Sequence, residues 1–396
     1  MNPSDLFVGD DEYLAALDHV AAELVAYGWD AVWQGRLLEY VRRRTYQIDD
    51  VPGGALAAGL PVPAVGRVVL QERGLFRVRR KEGEQWASLA GGLRHGAMRG
   101  TDLPAVGDFV ILRESRTDDG RGVIADVLPR SSAFIRKQAG PEHEAQVVAA
   151  NIDTVLIAAS LASPLNERQL ERYLTVAWES GATPVVVLTK ADLCRDVAFA
   201  IAAVQRSGQG VPVLALSSVT GTGLDALGDW LVPGATLAVL GPSGVGKSSL
   251  VNALCASTEL ATGEVRAADH RGRHTTTRRQ LLLAPSGALF IDTPGMRELQ
   301  LWAADDGLCA TFADIEQLAL CCQFRDCTHG PEPGCAVRAA VESGELASSR
   351  LRNYVKLQRE LAYAARKQDE RAQQVEKQKW KQATRIGDEN RRGKGR

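Results

Sequence analysis

The hydrophobic and polar positions divide the chain into stretches of different period. Over residues 10–45, Leu14, Leu17, Val20, Ala21, Leu24 and Val25 recur at helical spacing, which predicts a helix with one apolar face. Tyr27-Gly28-Trp29-Asp30 ends that helix and starts a second, short one. Residues 51–64, VPGGALAAGLPVPA, are rich in Pro, Gly and Ala and read as a linker. From Val65 to about Arg130 the runs shorten. GRVVLQ, LFRVRR, QWASLA, DFVILRE and GVIADVL predict five strands broken by Gly, Pro or Asp, hence a small β-barrel of the oligonucleotide-binding kind. Between Ala145 and Trp230 strands and helices alternate, as in a parallel sheet with crossover helices. Residues 154–158, 184–188 and 212–216 are its buried strands.

A fourth buried run, residues 236–240, leads into GPSGVGKS at 241–248, and 249–254 opens a helix. A complete Gly-x4-Gly-Lys-Ser motif between a strand and a helix turns backbone N–H groups inward around a phosphate. Gly241, Ser243, Gly244, Val245, Gly246, Lys247, Ser248 and Ser249 are the candidate phosphate-binding residues. Lys247 is placed to reach the β- and γ-phosphates, and the Ser248 hydroxyl to hold Mg²⁺.

Two earlier strands end in polar pairs, at Thr189-Lys190-Ala191-Asp192 and at Ser217-Ser218. Strand C-terminal ends are where open α/β sheets bind ligands. A carboxylate at Asp192 accepts two hydrogen bonds from the N1–H and exocyclic amine of guanine, which adenine lacks, and the Lys190 stem can lie along the base plane. Residues 261–279, ATGEVRAADHRGRHTTTRR, form a long polar loop whose threonines suit Mg²⁺ and the γ-phosphate. Residues 288–291 form a strand ending in Asp292-Thr293-Pro294-Gly295; Asp292 stands as a carboxylate behind Mg²⁺, and the Gly295 N–H can meet the γ-phosphate. An ordinary GTPase presents the phosphate elements first and the guanine-reading pair afterwards. Here the order is reversed, which is a circular permutation, tolerated because domain termini often lie close together.

Composition adds bounds. At 396 residues the chain has room for two to four domains. No apolar run approaches the roughly 18 residues of a membrane helix, and the acidic start MNPSDLFVGDDEYLAALD lacks the layout of a signal peptide. The expectation is a cytoplasmic protein without a membrane partner, its seven cysteines reduced. The net charge of −1 hides an asymmetry: residues 350–396 carry fifteen Lys/Arg against six Asp/Glu, +9, leaving −10 on the rest. A basic tail suits a polyanion, although a solvated charged helix has the same composition. In the barrel, Arg77, Arg79, Arg80, Lys81, Arg94, His95 and Arg99 interleave with Phe76 and Trp86, a pattern that suits single-stranded RNA as well as an ordinary charged surface.

Cys322-x4-Cys327-x-His329-x5-Cys335 offers three thiolates and an imidazole within fourteen residues, a tetrahedral Zn²⁺ set giving one zinc per chain. Flanking helices, including 336–380, extend that domain, and the polar tail from Gln368 frays.

TKAD, SS, GPSGVGKSS, GRHTTT, DTPG and the cysteine cluster together resemble the ribosome small subunit-dependent GTPase A family, over most of the chain. The resemblance implies a bacterial factor that binds the 30S subunit and its ribosomal RNA late in maturation and hydrolyses GTP there. It also selects Cys322 over its neighbour Cys321 by spacing. Two positions depart from the family, which usually has Asn at Thr189 and Ala at Ser218. Thr keeps a hydroxyl and the Ser218 N–H is unaffected, so altered guanine affinity is expected, not lost specificity. Met296 stands where Ras-like enzymes orient water with Gln, so the chemistry needs help from elsewhere. His274 is the candidate, against an ordinary loop histidine; Thr276 is the candidate Mg²⁺ ligand, with Thr275 next.

The expected architecture is multidomain: a helical extension and linker at 1–62, an OB-fold RNA-binding barrel at 63–131, a circularly permuted α/β P-loop GTPase domain at 132–304 and an α-helical zinc-binding domain with basic tail at 305–396. The expected protein is a monomeric GTP hydrolase stimulated by the subunit, with catalytic residues His274, Lys247 and Thr276. The rival classes are a P-loop ATPase or kinase, against which Asp192 counts, and an RNA-binding scaffold that uses nucleotide structurally.

Overall fold

The computed structural model describes residues 22–45, 63–72, 74–97, 100–114, 121–137, 145–207, 210–256, 279–292, 305–330, 332–363 and 365–366. The chain divides into two compact units, Met1–Gln300 and Leu301–Arg396.

The first unit opens with a 3-10 turn, Ala22–Tyr27, and a helix α1, Ala31–Thr45. Asp30 caps that helix, its Oδ1 accepting from the Val32 and Trp33 N–H groups at 2.9 and 3.1 Å. Val25 departs from the expected apolar stripe: Leu24 is fully buried while Val25 is 57% exposed. A 3-10 segment turns three residues at a time, so the two adjacent side chains diverge. Leu24, Trp29, Trp33 and Leu37 pack against Val65, Phe109, Ile111 and Leu128 of the barrel that follows. Trp29 meets the Phe109 ring edge-on at 5.1 Å, a geometry that adds to simple burial.

Five strands form that barrel: β1 Ala64–Glu72, β2 Leu75–Arg80, β3 Gly83–Leu89, β4 Phe109–Glu114 and β5 Gly122–Val127. It closes in the order β1-β2-β3-β5-β4-β1, with β3–β5 the parallel pair. A short helix α2, Gly91–Gly96, follows β3. Phe76 and Val78 alternate inward along β2 and fill the interior, while Arg77 and Arg79 point away from it. Gly66 is required by crowding, since a Cβ there would lie 2.4 Å from Val78 Cγ1.

A hairpin of β6 Ala133–Lys137 and β7 Ala145–Ala150 follows; the sequence pattern did not single it out. Next come β8 Thr154–Ser160, α3 Glu167–Glu179, β9 Thr183–Thr189, α4 Val197–Ser207, β10 Val213–Ala215, β11 Thr236–Leu240, α5 Lys247–Cys255, β12 Arg279–Leu283 and β13 Leu289–Asp292. Strands β10-β9-β8-β11-β13 run parallel, with Leu156, Val185, Val187, Leu237 and Phe290 in their core. The antiparallel β12 lies beyond β13 and also pairs with β1 of the barrel, Leu70 opposite Gln280 and Gln71 opposite Arg279. Barrel and parallel sheet are therefore one continuous eleven-stranded sheet.

A buried arginine reinforces this junction. Arg67 of β1, 1% exposed, donates from Nε to Gly107 O at 3.1 Å, from Nη1 to Tyr27 O at 2.5 Å, and from Nη2 to Asn151 O at 3.2 Å and Thr236 Oγ1 at 2.9 Å. Thus the N-terminal turn, the barrel, the end of the hairpin and the first residue of β11 share one guanidinium. Burial lowers its pKa to about 10, with Asp153 and Asp108 opposing that shift.

The second unit is helical: α6 Asp305–Thr311, α7 Ala313–Ala319, α8 Ala336–Ser343 and a helix over 348–363. Gly344, in the left-handed region, ends α8, so the helical stretch expected from 336 is broken. Arg350 joins the helices through Asp314 at 2.6 and 2.7 Å and Thr311 O at 2.9 Å.

Candidate nucleotide and metal sites

Strand β11 delivers the chain to the phosphate loop, anchored at its start by the Thr236 N–H on Asp153 Oδ2 at 2.7 Å. Gly241 follows at φ +146, with Ala158 O where a Cβ would be 2.5 Å away. Only glycine fits that corner. The loop then runs through Ser243 and Gly244, both exposed, over buried Val245 to Gly246, and α5 starts at Lys247. Lys247 Nζ folds back over the loop, donating to Gly241 O at 2.8 Å and Pro242 O at 2.5 Å. Ser248 and Ser249 sit half-buried in the first turn of α5.

The base-side candidates arrive on β9 and β10. The Thr189 hydroxyl lies 2.6 Å from Val245 O and 3.3 Å from Ala159 O, so its donated bond goes into the phosphate loop. Lys190 takes a left-handed conformation, φ 59 and ψ 40, and donates to Gly244 O at 2.9 Å. Asp192 stands exposed in the following turn, Ala191–Leu193, which is fastened to the end of β10 by the Ala191 N–H on Leu216 O at 3.1 Å. Ser217 is buried, and its Oγ accepts from the Val219 and Thr220 N–H groups at 3.3 and 3.2 Å. Its hydroxyl thus builds the turn that presents half-buried Ser218. Asp292 ends β13, opposite Gln280 of β12. The three loops carrying Thr189 to Asp192, Ser217 and Ser218, and Gly241 to Ser249 are drawn together at the strand C-terminal ends. A cavity of about 340 Å³ borders Lys190 and the loop residues 242–245, walled by Leu170 and Tyr173 of α3 and Val204 of α4. His274, Thr275 and Thr276, and Gly295 with Met296, lie outside the described residues.

On the barrel the picture is corrected at Phe76, which is 2% exposed and fills the interior, so it offers no stacking face. Trp86 is half-buried and already carries Arg77 at 5.0 Å, with Glu84 3.4 Å from that guanidinium. Arg79 lies over Tyr27 at 5.1 Å, and Arg80 contacts Gln85 and Glu82. Lys81 is half-buried and Arg94 exposed, while Arg99 and the His95 side chain lie outside the described residues.

In the second unit the ligand atoms of Cys322, Cys327, His329 and Cys335 all fall within 4.8 Å of one another. Cys322 Sγ is 3.7 Å from His329 Nδ1 and 3.9 Å from Cys335 Sγ, and Cys335 Sγ is 3.6 Å from Nδ1. A tetrahedron with Zn–S near 2.3 Å has S···S edges of about 3.8 Å, so the donor set fits zinc. Cys335 also caps α8, accepting from Arg338 N–H at 3.5 Å. Burial holds the His329 imidazole below its ordinary range, which favours the neutral, ligating form. Cys321 is exposed and outside this group.

Sequence reasoning missed the supporting residues: Arg67, Asn151, Asp153 and the buried Asp108–Arg130 pair at 2.7 Å. None belongs to a motif.

A phosphate loop between β11 and α5, preceded in the chain by the two base-side turns on β9 and β10, defines a circularly permuted P-loop GTPase fold. The RsgA GTPase family model matches residues 127–302. A small ribosomal subunit biogenesis GTPase, RsgA 2 of Lactiplantibacillus plantarum, is 49% identical over 76% of this chain and 84% of its own length. The one from Streptomyces avermitilis is 41% identical over 90% of this chain and 91% of its own. The crystal structure of YjeQ from Thermotoga maritima covers 76% of this chain and 98% of its own at 29% identity, with a TM-score of 0.57. YloQ, described as a circularly permuted GTPase, shares the fold with a TM-score of 0.55. The chain belongs to the RsgA GTPase family.

Proposed function

We propose that this chain binds GTP across the phosphate loop and the Asp192 turn, hydrolyses it to GDP and phosphate, and does so on the 30S ribosomal subunit during its late maturation. The observation that carries this reading is the direct coupling of the two half-sites: Thr189 and Lys190 each hold a carbonyl of the phosphate loop. Asp192 then reads the guanine edge, with the Ser217–Ser218 turn beside it. The loop N–H groups from Ser243 to Ser249, with Gly241 at the corner, cradle the phosphates, and Lys247 swings from its carbonyls onto them. Ser248 and Thr276 would hold Mg²⁺ with Asp292 behind; the ion supplies charge neutralisation at the β- and γ-oxygens. Gly295 meets the γ-phosphate and His274 orients the attacking water, in place of the glutamine that Met296 lacks. Cys322, Cys327, His329 and Cys335 hold one structural zinc. The charged barrel face and the basic residues of 352–396 contact ribosomal RNA. The protein works as a cytoplasmic monomer, in which the cysteines outside the zinc set, Cys194, Cys255, Cys309 and Cys321, stay reduced.

The test is phosphate release from GTP with and without purified 30S subunits. Slow turnover alone and strong stimulation by the subunit are expected. Equal rates would remove the subunit from the reaction, and preferred turnover of ATP would return the chain to the ATPase class.

A further inference from the structure

The seam between barrel and GTPase sheet carries an arrangement that the nucleotide site does not use. Arg279 opens β12 opposite Gln71 of β1 and donates to Gln71 Oε1 at 3.1 Å and to Gln146 Oε1 at 3.5 Å. Gln146 lies on the hairpin strand β7, directly across from Arg136 on β6. Cross-strand partners share a face with Cβ atoms about 5 Å apart, so Arg136 lies on the same face as Gln146, whose amide Arg279 reaches. Burial, and after it the charge of Arg136, holds the pKa of Arg279 below its ordinary value. Two of the five N–H donors of Arg279 are engaged by neutral amides, which position the group without cancelling its charge. Each guanidinium is a planar fork able to bind a phosphate with two parallel hydrogen bonds, and here two of them are carried on neighbouring elements, β6 and β12.

We propose that Arg136 and Arg279, spaced by Gln146, form a phosphodiester-binding clamp for ribosomal RNA on the seam where the hairpin, the barrel and β12 meet. The proposal rests on the 30S reading above and gives it a specific anchor. A phosphate in the clamp touches all three elements at once, so it fixes the RNA relative to barrel and nucleotide sheet together.

The decisive variant is Gln146→Glu. A carboxylate between the arginines occupies the clamp from within, so RNA affinity falls while both guanidiniums are held better and the melting temperature is kept or raised. Arg136→Gln and Arg279→Gln each remove one cation, and Arg136→Lys restores charge. Binding of purified 30S subunits and of protein-free small-subunit ribosomal RNA is measured against salt. The expected result is a log–log salt slope reduced by about 1 for each Arg→Gln change, with a several-fold weaker affinity and an unchanged GTP affinity. Gln146→Glu is expected to bind weakest of all. Wild-type slopes in Gln146→Glu, Arg136→Gln and Arg279→Gln overturn the clamp. Losses on subunits but not on free RNA assign the arginines to a ribosomal protein and overturn the RNA assignment. Failure of the wild-type chain to bind subunits at all refutes the 30S reading instead, which the wild-type curve shows by itself.

Discussion

The Thr189 hydroxyl reaches 2.6 Å into the phosphate loop to the Val245 carbonyl. Threonine at this position therefore does with a short side chain what an amide would do with a longer one: it ties the base-side strand to the loop. Thr189→Val keeps the shape and removes the bond. A hydrogen bond of this kind contributes about 1 kcal/mol, so GTP and GDP affinities are expected to weaken several-fold together, with the preference for guanine unchanged. Fluorescent-nucleotide titrations check it; selective loss of guanine preference would place Thr189 at the base instead.

Asp192 stands exposed in a turn that Ala191 fastens to β10. Asp192→Asn should weaken GTP and improve xanthosine triphosphate, because an amide pairs with the xanthine oxygen. Competition binding with both nucleotides decides it, and a mutant with unaltered GTP preference refutes the assignment.

Catalysis is the role assigned to His274. His274→Ala should lose most of the 30S-stimulated rate, about 10²-fold, while GTP affinity stays nearly intact. Single-turnover rates with saturating subunits test this. Full stimulation in the mutant makes His274 an ordinary loop residue.

The ligand atoms of the four candidate zinc residues lie within 4.8 Å of one another in the second unit. Structural zinc contributes roughly 10–16 kcal/mol of apparent binding energy, so Cys327→Ser should lose the metal and unfold residues beyond Leu301. Elemental analysis and limited proteolysis report both. A metal-free wild-type protein with a protease-resistant second unit would falsify the site.

Arg67 gives a stability prediction. Arg67→Met fills a similar volume but strips four donors from the acceptors of Tyr27, Gly107, Asn151 and Thr236. Breaking a buried charged network in this way costs about 3–5 kcal/mol, which a shifted urea midpoint should show. An unchanged midpoint contradicts the hub.

Motif residues were legible in the sequence because their geometry is local: residues 236–249 encode strand, loop and helix start in one stretch, and 322–335 bring four potential metal-binding side chains together within fourteen positions. The five barrel strands were legible from short alternating runs. Phe76 was misplaced although its alternation with Arg77 and Val78 already put it on the inner face. Arg67 was not legible, since its partners lie from 40 to 169 residues away. The same holds for the pairing of β12 with β1, in which Arg279 meets Gln71 across 208 positions. Tertiary neighbours, not periodicity, set these contacts.

The two-residue pairing of β1 with β12 has a further meaning for how the molecule stays apart from its own copies. Without the barrel, β12 would become a sheet margin with unpaired N–H and C=O groups, flanked by Leu283, which is 47% exposed already. Such a margin recruits strands from other chains. The barrel therefore covers Arg279 and Gln280 of that margin, and a GTPase fragment cut free of it is expected to self-associate more readily than the whole protein.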